Sequence, residues 1–277
     1  MCYNKNVPKR NTSSIARNDF PIAEKKTTGS IAHATSILIC LSNDVHALTD
    51  IARQCNLGKS TVHRILKLLG EAQLVVQDST NRRYYLGPLI TQLASNPITT
   101  HEYLIMYANE EMKHLSYISE ETVTLDIMIG IQHFSLYEIA SKHDLKVTQE
   151  SRMSGPLQAG ASVKVMLSLF NDKQLKVALD TMNITRATER TVTNKELLMA
   201  QIKEIRQQGY AISYGERIPG ALCISVPINN YVLPVAMSVV GPESRLQLRA
   251  TAVIEELKAS SVRISNNIAG NFLKGGK

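Results

Sequence analysis

Long apolar runs are missing from this chain. Its most hydrophobic stretches, Ile37–Leu41 and Val232–Val240, fall far short of the ~18–20 residues that span a bilayer, and Pro234 interrupts the second. The first thirty residues are mostly polar and basic with no continuous apolar h-region, so no secretory leader is expected and a cytoplasmic location is. Cysteine is scarce and scattered: Cys2, Cys40, Cys55 and Cys223 include no C-x-x-C pair, which argues against a disulfide framework and against structural zinc. The histidines, His101, His114 and His133 among them, lack metal-ligand spacing, so neither a metal nor a cofactor is expected. Internal repeats and low-complexity tracts are absent as well. What is there, 277 residues at 44% apolar and 20% charged, suffices for about two ordinary domains with real cores.

The net charge of +7 is unevenly spread. Residues 1–92 hold twelve Lys/Arg against six Asp/Glu, whereas the rest holds nineteen against eighteen. A basic excess confined to the first third is the electrostatic footprint of a nucleic-acid-binding module joined to a neutral domain. Residues 1–29, rich in Asn, Lys, Thr and Ser, read as a disordered basic arm.

From Ser30 to Leu41, Ile31, Ala34, Ile37, Leu38 and Leu41 recur at the period of an amphipathic helix. Ser42-Asn43-Asp44 breaks it, and a second short helix follows Thr49 as N-cap. Within Leu48–Lys67 a short helix, a turn and another helix succeed one another at helix-turn-helix spacing. Ala52 is small where two helices cross, Asn56 tolerates positive φ at the turn, and Ile51, Leu57, Val62 and Ile65 supply the inner face. On a helical wheel Val62, Ile65, Leu66 and Leu69 form one stripe, so Ser60, Arg64 and Lys67 point away, flanked by Thr61 and His63. With Lys59 at its start, that face suits a major groove, Arg reading guanine and the others mostly touching phosphates. Two β-prone segments around Asp78–Asn81 then read as a hairpin, a wing whose Arg82 and Arg83 reach phosphates or the minor groove. The predicted winged helix-turn-helix occupies residues 30–92.

A helical linker is expected over residues 93–119, broken near Ser95-Asn96-Pro97, with Leu104, Ala108, Met112 and Leu115 as an apolar row. Beyond it come strands at Thr122–Ile131 and His133–Ile139, helices at Ala159–Phe170 and Asn171–Leu179, and a helix opened by a capping box at Thr193–Glu196 and closed at Gly209. Strands at Ala211–Tyr214, Ala221–Ile228 and Leu233–Val240 and a long helix, about Leu246–Asn271, complete an α+β domain over residues 120–277.

The segments LTDIARQCNLGKSTVHRIL (48–66), YYLGPLITQLA (84–94), GPLQAGASVKVMLS (155–168), GYAISYGERIPGALCISVPI (209–228) and VAMSVVGPESRL (235–246) stand in one order and at one spacing. In these the chain, from about Ile31 to Ser265, resembles the IclR-type bacterial transcription regulators, named for the isocitrate lyase regulator. The resemblance implies a winged helix-turn-helix that reads an operator and a GAF-like domain that binds a small metabolite. Members typically form homodimers and often tetramers, which suits a pseudo-palindromic site in duplex DNA. It also maps a pocket onto Ala161, Ser162, Ser213, Cys223 and Ser238, with apolar walls from Leu157, Leu222 and Met237 suited to a small organic or aromatic acid. Gly58 stands where many members have Pro, and Gln158 and Val163 where members commonly have other residues, although Lys164 is kept.

The expected function is therefore a sequence-specific DNA-binding regulator controlled by a metabolite, with no membrane partner. Two rivals stay open: a nucleic-acid-binding protein without effector or sequence preference, and a small-acid enzyme using Cys223. The enzyme needs a base and an orienting group, and the nearest histidine in sequence is His143. No catalytic residues are therefore expected. Glu216 and Arg217 read as an ion pair or as charges stabilising a turn.

Overall fold

The computed structural model describes residues 29–148 and 158–274. The basic arm expected over residues 1–29 lies outside these, Gly29 excepted. The described residues form two compact units, one ending at Thr100 and the other beginning at His101.

The first unit comprises α1 (Ser30–Ser42), α2 (Leu48–Gln54), α3 (Lys59–Glu71), β1 (Val75–Gln77), β2 (Tyr84–Leu86), α4 (Pro88–Leu93) and α5 (Pro97–Thr100). Its core joins Ile37, Cys40 and Leu41 of α1 to Ile51 and Ala52 of α2, the stripe Val62, Ile65, Leu66 and Leu69 of α3, and Val75 and Tyr84 of the hairpin. Asn56 adopts the left-handed conformation at the turn, φ 53°, as a residue there must. Two expectations are corrected. Ile31 is 84% exposed, because it sits in the first turn of α1, before the helix reaches the core. Thr49 is not the cap: α2 begins one residue before it, Ala47 is the N-cap without a side-chain bond, and Asp50 occupies the first turn.

β1 and β2 pair antiparallel with Gln77 opposite Tyr84. The polar tetrad closes the turn with its own side chains, Asp78 Oδ1 accepting from Thr80 N at 2.7 Å and Asn81 Oδ1 from Arg83 N at 2.8 Å. The base of the wing is tied to the segment before α2, since Tyr84 N donates to His46 O at 3.0 Å and His46 Nδ1 lies 2.9 Å from Tyr84 O. Gly87 then passes so close to the segment after α3 that a β-carbon there would lie 2.2 Å from the Gln73 carbonyl oxygen.

The second unit is a five-stranded antiparallel sheet with helices on both faces, which is the α+β class expected. Its elements are α6 (Glu102–Ser119), β3 (Thr122–Ile129), β4 (Gln132–Ile139), α7 (Ala161–Ser168), α8 (Asp172–Thr181), α9 (Lys195–Gln208), β5 (Ala211–Tyr214), β6 (Ala221–Ile228), β7 (Val235–Pro242), α10 (Glu243–Leu246) and α11 (Ala250–Lys274). Strand order is β4-β3-β7-β6-β5. One face packs Val123, Leu125, Leu222, Ile224, Met237 and Val239 against α6 and α11. The other packs Met128, Ala211 and Ala236 against α7, α8 and α9.

Some boundaries differ from expectation. Gly130, φ 62°, and Ile131 form the turn between β3 and β4 rather than extending a strand. The cap of α9 is Asn194, whose side chain accepts from Leu197 N, so Thr193 and Glu196 do not form the expected box. A complete capping box occurs instead at Asn171 and Gln174, ahead of α8. The closing helix is preceded by the short α10 and a 3₁₀ turn at Gln247–Arg249.

Candidate functional site

The outer face of α3 carries the first candidate surface. Burial of Val62, Ile65, Leu66 and Leu69 turns Lys59, Ser60, His63, Arg64 and Lys67 outward, all exposed, with Thr61 half-buried beside them. The helix starts at Gly58 with no side-chain cap on its first amides. Arg82, held at φ 58° by the tight turn, and Arg83 are exposed at the wing tip. Among the described residues, Lys59, Arg64, Lys67, Arg82 and Arg83 have no carboxylate partner, whereas the neighbouring Arg53 is held by Asp50 at 2.9 Å. Five cations are thus presented to solvent by a helix and a hairpin of one unit.

The second candidate site is a small cleft, partly open to solvent, in the sheet unit. Four expected residues meet there. Ala161 and Ser162 come from the first turn of α7 behind its N-cap Gly160, Ser213 from β5, and Cys223 from β6. Val147, Ala159, Ile218, Ala221 and Val240 complete the apolar lining. Ser238 lies one pleat deeper on the same side, its hydroxyl 2.7 Å from Ser225 Oγ, and it does not line the cleft. Leu222 and Met237 are corrected: alternation along β6 and β7 sends them into the core under α6 and α11, the opposite face of the sheet. Leu157 falls outside the described residues.

Sequence reasoning missed the charges of this cleft. Glu216 and Arg217 line it, and the partner of Glu216 is Lys164 of α7, Nζ to Oε1 2.5 Å, with side chains 8% and 2% exposed. The second oxygen of Glu216 is buried with no hydrogen-bond partner among the described residues. The loop bearing Glu216 is fastened from outside. Thr191 Oγ1 donates to Glu216 O at 2.6 Å and Thr188 Oγ1 to Gly215 O at 2.7 Å. One signal was available: Lys164 is the sole charge in the otherwise apolar run ASVKVMLS, and a lysine in such a run is buried only if paired. The lining contains no histidine among the described residues.

Comparisons with known proteins agree with this architecture. Residues 30–79 match the family model "IclR helix-turn-helix domain", and residues 98–266 match "Bacterial transcriptional regulator IclR C-terminal". The HTH-type transcriptional regulator TtgV of Pseudomonas putida is 28% identical over 240 residues, 86% of this chain and 91% of TtgV. BhcR of Paracoccus denitrificans, also an HTH-type transcriptional regulator, is 29% identical over 231 residues, 81% of this chain and 82% of BhcR. The fold is shared by an IclR homolog from Microbacterium hydrocarbonoxydans, solved in complex with 4-hydroxybenzoate, at a TM-score of 0.55 and 21% identity over 87% of this chain and all of that one (100%). With a helix-turn-helix match followed by a C-terminal match that spans more than half of its length, this chain belongs to the IclR family of bacterial transcriptional regulators.

Proposed function

We propose that this protein is a cytoplasmic regulator that binds a pseudo-palindromic operator as a homo-oligomer and changes its affinity for DNA when a small organic or aromatic acid occupies the cleft. In this reading α3 enters the major groove, with Arg64 on a guanine edge and Lys59, Ser60, Thr61, His63 and Lys67 on phosphates and flanking bases. Arg82 and Arg83 of the wing follow the backbone or the minor groove. The acid lies against the first-turn amides of α7 and the hydroxyls of Ser162 and Ser213, beside Arg217. The relative complexed with 4-hydroxybenzoate is the precedent for that ligand class. The segment 93–119, of which α6 is packed into the core of the sheet unit, carries the signal from the cleft towards the helix-turn-helix.

The observation that carries the reading is the outward face of α3, where Ser60, Arg64 and Lys67 are exposed while the opposite stripe is buried. The test is a thermal-shift screen of small carboxylic and aromatic acids, because a ligand that prefers the folded state raises the melting temperature. Hits are then titrated into a gel-shift assay on duplex DNA. A stabilising acid that alters DNA affinity supports the proposal. Unchanged affinity removes ligand control, since control requires unequal binding to two states. A protein that ignores duplex DNA at low ionic strength removes the whole reading.

A further inference from the structure

Two cysteines that stand fifteen residues apart in sequence meet in the first unit, Cys40 Sγ lying 3.4 Å from Cys55 Sγ. Both are free thiols. Cys40 is in the last turn of α1 and 3% exposed, whereas Cys55 is half-buried. Cys55 also closes α2 as its C-cap and directly precedes Asn56, the left-handed residue of the helix-turn-helix. Only Asn56, Leu57 and Gly58 separate it from the first residue of α3.

We propose that Cys40 and Cys55 form a redox-modification site: a peroxide converts the pair to an intramolecular disulfide that ties the last turn of α1 to the turn preceding α3 and lowers affinity for duplex DNA. The thiols are already in contact, and a disulfide requires them to close by about 1.4 Å, to the ~2.05 Å of an S–S bond. In a packed core that closure draws the turn and α1 together and displaces the start of α3. Intracellular disulfides of this kind are usually transient and regulatory.

The roles of the two sulfurs follow from their surroundings. Cys55 is the one that solvent reaches, and the hydrogen bond from Cys40 holds its thiol below the usual range, while the same contact and burial push Cys40 up. The Cys55 thiolate attacks one oxygen of hydrogen peroxide, the O–O bond breaks and hydroxide leaves, giving a sulfenic acid. The Cys40 sulfur then attacks the Cys55 sulfur, the S–OH bond breaks and water departs with the Cys40 proton. Two thiols and one peroxide become one disulfide and two waters.

The regulatory half of this proposal rests on the DNA-binding reading above, and the experiment separates the two. Full-length protein, reduced and freed of reductant, first selects a duplex from a random library; failure at that step overturns the DNA-binding reading and with it the loss of affinity proposed here. Hydrogen peroxide is then added, non-reducing peptide mapping is performed, and affinity for the selected duplex is measured by anisotropy. The expected result is a peptide pair joined through Cys40 and Cys55, DNA binding at least tenfold weaker, and recovery with a thiol reductant. C55S, with C55A as a second variant, should bind normally and ignore peroxide. The proposal is overturned by absence of the joined pair, by a joined pair with unchanged affinity, or by an equal peroxide-induced loss in both Cys55 variants.

Discussion

Arg64 and Arg82 are both exposed and, among the described residues, without a carboxylate partner, yet they lead to different expectations. Arg64 projects from the helix face proposed to read bases, so Arg64→Ala should cost about 1–3 kcal/mol on the selected site and relax specificity there. Arg82, at the hairpin tip, should act as a phosphate contact, so Arg82→Ala weakens all sequences alike and lowers the salt slope by about one. Competition binding with cognate and random duplexes at several salt concentrations distinguishes them. Equal effects of Arg64→Ala on both duplexes would contradict its assignment. At Lys164 and Glu216 the expectation concerns stability. Removing one member of a buried ion pair leaves an uncompensated charge, so Glu216→Leu should cost about 3–5 kcal/mol in denaturant unfolding. Pairing it with Lys164→Met should recover most of that loss, because the double variant buries no charge.

At the scale of elements, Gly87 is, among the described glycines, the one an added β-carbon would press hardest against backbone. An added methyl would overlap the Gln73 carbonyl, a backbone atom that cannot rotate away, so Gly87→Ala should destabilise the first unit by about 1–3 kcal/mol or more and move the wing. Thermal melts together with duplex binding would reveal both effects. The sequence was most legible where one face of an element is wet. Val62, Ile65, Leu66 and Leu69 alternate with exposed polar residues, and that contrast marked the outer face of α3. It was least legible where both faces are covered. Every residue of β7 from Val235 to Gly241 is buried, so its pattern of apolar and small residues could not say whether Met237 or Ser238 lies beneath α7. Contacts between distant segments left no periodic trace either. Cys40 with Cys55, and Lys164 with Glu216 fifty-two residues later, become visible only when the elements are packed.

For the molecule as a whole, two acid-sensitive points in the sheet unit contribute to its pH response. Burial lowers the pKa of His101, whose Nδ1 lies 2.6 Å from the Tyr231 hydroxyl, from the usual 6.5. The unfolded chain therefore takes up this proton first, so the contribution is present above about pH 6.5 and is lost as pH falls below it. Glu111 receives Arg263 through two bonds, at 2.8 and 2.7 Å, joining α6 to α11, and that partner holds its carboxyl below the usual 4.5. Its contribution is present above that value and disappears as pH falls through the lowered one. Melting temperature should thus decline in two stages on acidification, and His101→Gln should flatten the upper stage. Pleating has a last consequence for how such a molecule diversifies. Positions 221, 223 and 240 face the cleft while 222, 224 and 239 face the far core, so the lining of the cleft can vary at alternate positions while the core-facing ones stay as they are. Deletion of a single codon within β6 would instead flip the residues on one side of the gap, bringing large side chains such as Leu222 or Ile224 into the cleft and small ones such as Ala221 or Cys223 into the far core.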